Sequence, residues 1–180
     1  MELIRPEMDR DAAAVRRVHA TAFPTTAEAD LVERLRASGK AVIELVALDG
    51  DSIVGHILFS PIELEPLAGT VGLGLAPVAV LPDHEHHGVG RRLIQNGLAE
   101  CHRWGAGFVV VIGDPPYYSR FGFEPAAKYG LRSEFAVGDS FMVFKLESGA
   151  LPRPGTIIKY APEFSAVSRR APRRGSPPRG

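Results

Sequence analysis

Cysteine is almost missing: Cys101 is the only one in 180 residues. An intrachain disulfide is therefore excluded, and a reducing, cytoplasmic setting is the expectation. Cys101 falls on the apolar side of a helical pattern. It reads as core filler, because a reactive thiol needs an exposed, electropositive site. No apolar run is long enough to span a bilayer, so no membrane partner is expected. The opening MELIRP has no basic start followed by an apolar core, so it does not read as a signal peptide. Net charge is missing too, with 21 basic and 21 acidic side chains. That balance hides an asymmetry: Arg169, Arg170, Arg173, Arg174 and Arg179 follow Ser168 with no acid among them. Residues 1–168 then hold 16 basic and 21 acidic groups, a net of −5. An acidic body disfavours nucleic acid and favours a cationic substrate such as an amine. Residues 1–166 read as one domain with a real core, and 167–180 as a basic Pro/Arg-rich tail, disordered in solution.

What is present is a strand–loop–helix stretch over residues 76–104. Pro77, Val78, Ala79 and Val80 form a short buried strand. A loop carries Pro82, then His86-His87-Gly88-Val89-Gly90 leads into a helix. Leu93, Ile94, Gly97, Leu98 and Cys101 mark the buried face of that helix. The first turn of a helix has N–H groups without internal partners and the positive end of the macrodipole. Gly88 and Gly90 let an anion approach the backbone, and Arg91 and Arg92 add charge. Taken alone, Gly-x-Gly fits a plain connection as well as a phosphate site. The third glycine of a dinucleotide fingerprint is absent, since Leu93 stands there, and no Gly-Lys-Ser/Thr of a Walker loop exists.

Around this stretch the chain alternates. Residues 3–5 read as a strand ended by Pro6, then a helix capped by Asp9 or Asp11 with Val15, Val18 and Ala22 inward. Thr25-x-x-Glu28 reads as a capping box for a second helix ended by Gly39. Residues 42–48 and 53–62 form a hairpin through Asp49-Gly50-Asp51-Ser52. Residues 63–74, with Pro66 and three glycines, read as a loop. Residues 108–112 form a strand parallel to 76–80, joined by a right-handed crossover. Pro115 and Pro116 open a helical turn that ends at Gly122. Residues 140–146 read as a last strand and 155–160 as a short edge strand, and an exposed last strand could pair with a second copy.

Glu85-His86-His87-Gly88-Val89-Gly90 resembles the Gln/Arg-x-x-Gly-x-Gly/Ala motif of the GNAT (GCN5-related) N-acetyltransferases. Tyr118, four residues before Gly122-Phe123, matches a second feature of the family. The order strand, two helices, hairpin, strand, helix also resembles it, over roughly residues 3–146. The departure is Glu85 in the Gln/Arg position, and a carboxylate there must point away from a phosphate. The resemblance implies an α/β (α+β) GNAT fold: a mixed, mostly antiparallel sheet with a parallel pair around the cofactor, flanked by helices. It implies acetyl transfer from acetyl-CoA to a primary amine by direct attack, with a small molecule or a protein as acceptor, in a monomer or homodimer. It implies that Val78, Ala79 and Val80 pair with the pantetheine arm and stabilise the oxyanion. It further implies that His86, His87, Gly88, Val89, Gly90, Arg91 and Arg92 hold the pyrophosphate, with Tyr117 as groove wall or packing. Tyr118 is the implied general acid.

The base stays open: Glu44 and His56 on the hairpin strands, or Glu134, could each be aimed at the site or be structural. Asp83, His84, Glu85, His86 and His87 could suggest a metal, but a structural site draws ligands from two segments and no second cluster is visible, so none is expected. The remaining alternatives are a non-catalytic acyl-CoA sensor on the same fold, and an arginine tail that tethers the domain to nucleic acid.

Overall fold

The computed structural model describes residues 3–168; of the basic tail expected at 167–180, residues 167 and 168 belong to a short helix and 169–180 lie outside the described residues. The first strand, β1 (Leu3–Pro6), pairs antiparallel with β2 (Ile43–Asp49). Between them stand α1 (Ala12–Ala22) and α2 (Ala27–Ala37). β3 (Ser52–Pro61) returns from β2 through the Gly50 turn, followed by the short β4 (Glu63–Glu65). β5 (Gly72–Val80) leads to α3 (Val89–Trp104), then β6 (Phe108–Ile112) and α4 (Pro115–Ser119). β7 (Glu124–Pro125), β8 (Arg132–Ser133), β9 (Phe141–Lys145), β10 (Ile157–Lys159) and α5 (Ser165–Ser168) complete the chain. The main sheet has the order β1-β2-β3-β5-β6-β9-β7, and β4, β10 and β8 form a second sheet. Only β5–β6 is parallel in the main sheet, as the α3 crossover requires.

Strand alternation sorts the sheet into two cores. Leu45, Ile57, Leu75, Val78, Val80 and Val109 bury one face against Val89, Leu93, Ile94, Leu98 and Cys101 of α3. Val46, Leu58, Ala79 and Val110 bury the other against Val15 and Val18 of α1 and Leu31, Val32 and Leu35 of α2. Among the described residues, no helix is long and apolar enough to cross a membrane.

Four local expectations need correction. The stretch 63–74 is not all loop, because β4 occupies its start and β5 begins at Gly72. The glycines that suggested a loop are there for closeness: a Cβ on Gly74 would lie 2.5 Å from the Tyr160 ring. Thr25 and Glu28 do not form a capping box. Thr26 stands at the N-cap of α2, and Thr25 Oγ1 accepts only the Ala27 N–H, at 3.3 Å. Asp11 precedes α1, but its carboxylate accepts from Arg5, at 2.6 and 3.0 Å, and from the Met8 N–H. Finally, neither late strand is a free edge: β9 lies between β6 and β7, and β10 between β4 and β8.

Leu93 is fully buried where α3 meets the sheet. Leu93→Ala is expected to cost about 2–5 kcal/mol of unfolding free energy, read as a lower denaturant midpoint at constant slope.

Candidate active site

The parallel ladder is short. Gly72, Leu73, Gly74 and Leu75 pair with Phe108, Val109, Val110 and Val111, and there it stops. β5 continues through Ala76, Pro77, Val78, Ala79 and Val80, held only by β3: Ile57 faces Val78, His56 faces Ala79 and Gly55 faces Val80. The β3–β5 register slips between Ile57 and Phe59, where Val78 gives way to Leu75. One extra β5 residue is absorbed there, and such a bulge bends a strand away from its neighbour. Leu73, Leu75, Val78 and Val80 thereby share the α3 face despite the broken alternation. β6 meanwhile turns at Gly113 into α4. The two strands part like a wedge, and one edge of residues 76–80 is left without a strand. Near the root of the wedge, the buried Tyr160 hydroxyl donates to the Val110 carbonyl at 3.3 Å.

The open strand leads to the α3 N-terminus. Gly88 is the N-cap with φ +78, a left-handed conformation that glycine adopts without strain. The first internal bond runs from the Arg92 N–H to the Gly88 carbonyl at 3.0 Å. By helix geometry the N–H groups of Gly88, Val89, Gly90 and Arg91 then have no acceptor within α3. Val89 turns its side chain into the core and contributes only backbone here, whereas His86 and His87 are exposed. A Cβ on Gly88 would touch Arg92 Nη1 at 3.6 Å, so that guanidinium stands at the same turn as the free amides. His84 Nε2 lies 3.4 Å from Asp49, and among the described residues no group of three or more His, Cys, Asp or Glu converges as for a metal.

Tyr118, on α4, faces the same core as Val78 and Val80 and is 4% exposed. Its ring packs edge-on to Tyr117 and Phe123 and lies against Gly113. Burial, and then Tyr117, raise its phenol above the ordinary tyrosine value, so the proton stays on the oxygen. Tyr117 is pushed up to about 12, chiefly by burial, and its hydroxyl is buried without a hydrogen-bond partner.

The base candidates separate. Glu134 accepts the backbone N–H of Tyr160 at 3.0 Å, which is a structural role at the end of β10. Glu44 and His56 come together on the α1–α2 face: His56 Nε2 lies 3.1 Å from Glu44 Oε1, and Arg36 Nε donates to both Glu44 oxygens at 3.0 and 3.2 Å. Burial alone would raise the Glu44 carboxyl, but the bonds from His56 and Arg36 outweigh it and leave it lowered. His56 is fully buried and its pKa is lowered by burial, with Glu44 opposing in part. His19 was not anticipated from sequence. Its Nε2 lies 2.8 Å from His56 Nδ1, and its pKa is lowered further, by burial and then by His56 and Arg36. A single histidine in a helix carries no local signal of such a partner.

Comparison with known proteins decides the family. The sequence pattern of the "Acetyltransferase (GNAT) domain" matches residues 4–126. The chain belongs to the GNAT acetyltransferase family. Among GNAT relatives, the N-acetyltransferase YhbS of Escherichia coli K12 is 35% identical over 165 residues, 91% of this chain and 98% of the relative. The crystal structure of Escherichia coli YhbS in complex with CoA superposes with a TM-score of 0.85 at 34% identity, covering 91% of this chain and 92% of that one. A GNAT acetyltransferase from Brucella melitensis in complex with acetyl-CoA gives 0.76 at 31% identity, covering 91% and 98%. The mixed sheet with one parallel pair and flanking helices is thus the GNAT fold.

Two expectations follow for this site. Gly88→Ala forces a side chain into the left-handed backbone of the N-cap, so the unfolding free energy is expected to fall by about 1–2 kcal/mol, read as a lower denaturant midpoint. His19 and His56 have lowered native pKa values, so the unfolded chain binds more protons below the ordinary value of 6.5. Stability is therefore full above about pH 6.5 and falls as pH drops, by up to about 1.4 kcal/mol per pH unit per histidine, until the native value is reached. Acid unfolding curves of His19→Gln should be flatter in that range.

Proposed function

We propose that the chain transfers the acetyl group of acetyl-CoA to a primary amine. The observation that carries this is the continuity of an unpaired strand edge at residues 76–80 with the amide-rich start of α3. An extended, amide-bearing arm ending in a diphosphate matches that sequence of donors. Support also comes from the Escherichia coli and Brucella melitensis relatives, crystallised with CoA and acetyl-CoA respectively. In this reading Val78, Ala79 and Val80 pair with the pantetheine, and an N–H of that edge stabilises the oxyanion of the tetrahedral intermediate. His86, His87, Gly88, Val89, Gly90, Arg91 and Arg92 receive the pyrophosphate, the glycines and Val89 through backbone alone. Tyr117 walls the groove, and Tyr118 protonates the departing thiolate. The acceptor amine belongs to a small molecule or a protein. Glu44 and His56 are the base candidates on the amine side, where they are hydrogen-bonded to each other and His56 Nδ1 is engaged with His19.

The chemistry sets a demand on that side. An alkylammonium with a pKa near ~10.4 is neutral in roughly one molecule of two thousand at pH 7, so a proton acceptor must lie close to the amine.

The direct test is thiol release from acetyl-CoA against a panel of small amines, polyamines, amino acids and peptide N-termini. Release with at least one class is expected; CoA binding with no release across the panel would favour the sensor reading. Tyr118→Phe is expected to lower kcat about 100-fold with an unchanged Kd for CoA. Full activity in that variant removes the phenol from the mechanism.

A further inference from the structure

A line of titratable side chains runs beneath the sheet on the α1–α2 face. Glu7 Oε1 accepts from Arg36 Nη2 at 2.9 Å, and Arg36 also holds Glu44. Glu44 meets His56, and His56 meets His19. The charge on Glu44 fixes every proton inward of it. A carboxylate only accepts, so a neutral His56, the form that burial favours, carries hydrogen on Nε2 and a bare lone pair on Nδ1. His19 must then donate from Nε2, which leaves its own Nδ1 bare. That Nδ1 is buried and has no hydrogen-bond partner among the described residues. The line thus ends in one acceptor atom that no described residue satisfies, which is costly unless something else donates to it.

The position of His19 relates this atom to the open strand. His19 sits in the last turn of α1, its ring stacked parallel to Phe23 at 6.0 Å, where the chain leaves α1 for α2. His56 stands opposite Ala79 on the unpaired half of β5. Residues directly opposite on antiparallel strands hold their Cβ atoms about 5 Å apart. The pair of imidazoles therefore lies beneath the segment that would carry the thioester, on the face opposite α3 and Tyr118.

We propose that His19 Nδ1 is the proton acceptor for the substrate amine, with His56 and Glu44 holding its tautomer and steadying the imidazolium that forms. This rests on the acetyl-transfer reading above and names the half of it that Tyr118 cannot supply. The ammonium gives one proton to Nδ1. The freed electron pair forms the N–C bond while the carbonyl π pair moves onto oxygen. Collapse of the oxyanion breaks the C–S bond, and the thiolate takes the Tyr118 proton. The second nitrogen proton restores the phenol, and the proton on His19 returns to water. Other charges near His19 are His56 from β3, Glu44 from β2 and Arg36 from α2, with Glu7 behind Arg36. Burial keeps both imidazoles neutral at rest, the form that can accept.

The test has a spectroscopic and a kinetic arm. In protein labelled with 15N-histidine and bound to CoA, His19 and His56 should both show Nε2–H tautomers with bare Nδ1; the reverse tautomer at His19 overturns the proposal. For kinetics, His19→Gln keeps an amide donor for His56 but cannot take a proton. With the panel amine that the unaltered enzyme turns over fastest, kcat/KM is expected to fall about 100-fold at pH 7, with CoA affinity unchanged. The loss should shrink about tenfold per pH unit towards the pKa of the amine, because amine already neutral needs no base. A folded variant with an unchanged pH profile overturns the role of His19 while leaving acetyl transfer intact. An unaltered enzyme that releases no thiol with any amine overturns both.

Discussion

The site depends on a ladder that ends early. β5 stays bonded to β3 along its length but parts from β6 after Leu75. A strand edge normally lies at the rim of a sheet, where it invites pairing with whatever arrives. Here the edge is internal, walled by α4 on one side of the gap and rooted on Tyr160 at its base. The bulge beside Pro77 makes this possible without exposing core, since Val78 and Val80 still bury against α3. One inserted residue thus accompanies the point where the continuous sheet opens into a wedge.

The two faces of that groove differ in kind. The α3 face is apolar and aromatic, with Tyr117, Tyr118, Phe121 and Phe123 in mutual contact. The α1–α2 face carries a buried line of acid, base and guanidinium. Both pKa effects follow from burial: phenols on one face are held protonated, and imidazoles on the other are held bare. The proposed reaction, which gives a proton to sulfur and takes one from nitrogen, would use that opposition. A sheet supplies it cheaply, because alternate residues point to opposite sides.

The sequence was most legible where local chemistry dictates local structure. Gly88 and Gly90 before an apolar helical stripe marked the start of α3, and the apolar run of residues 108–112 marked β6, of which Ile112 alone is exposed. Tyr118 was singled out through its spacing to Gly122-Phe123, whereas its near-complete burial in the α3-side core was not anticipated. It was least legible where distant contacts decide. Gly72 and Gly74 looked like loop because the rings of Phe108 and Tyr160 that press on them lie far along the chain. β10 looked like an edge because its neighbours, β4 and β8, are too short to announce themselves. His19 was invisible since its partner is 37 positions away.

Cys101 closes the account of α3. The only thiol in the sequence sits on the inner face of that helix, fully shielded, two turns and more from the amides at its start. Alkylation can reach the sulfur only when the helix lifts from the sheet, so its rate is a clock for that opening. If a diphosphate binds at the other end of the same helix, as proposed, it slows the clock, and ligand occupancy becomes readable from a single natural sulfur without any added label.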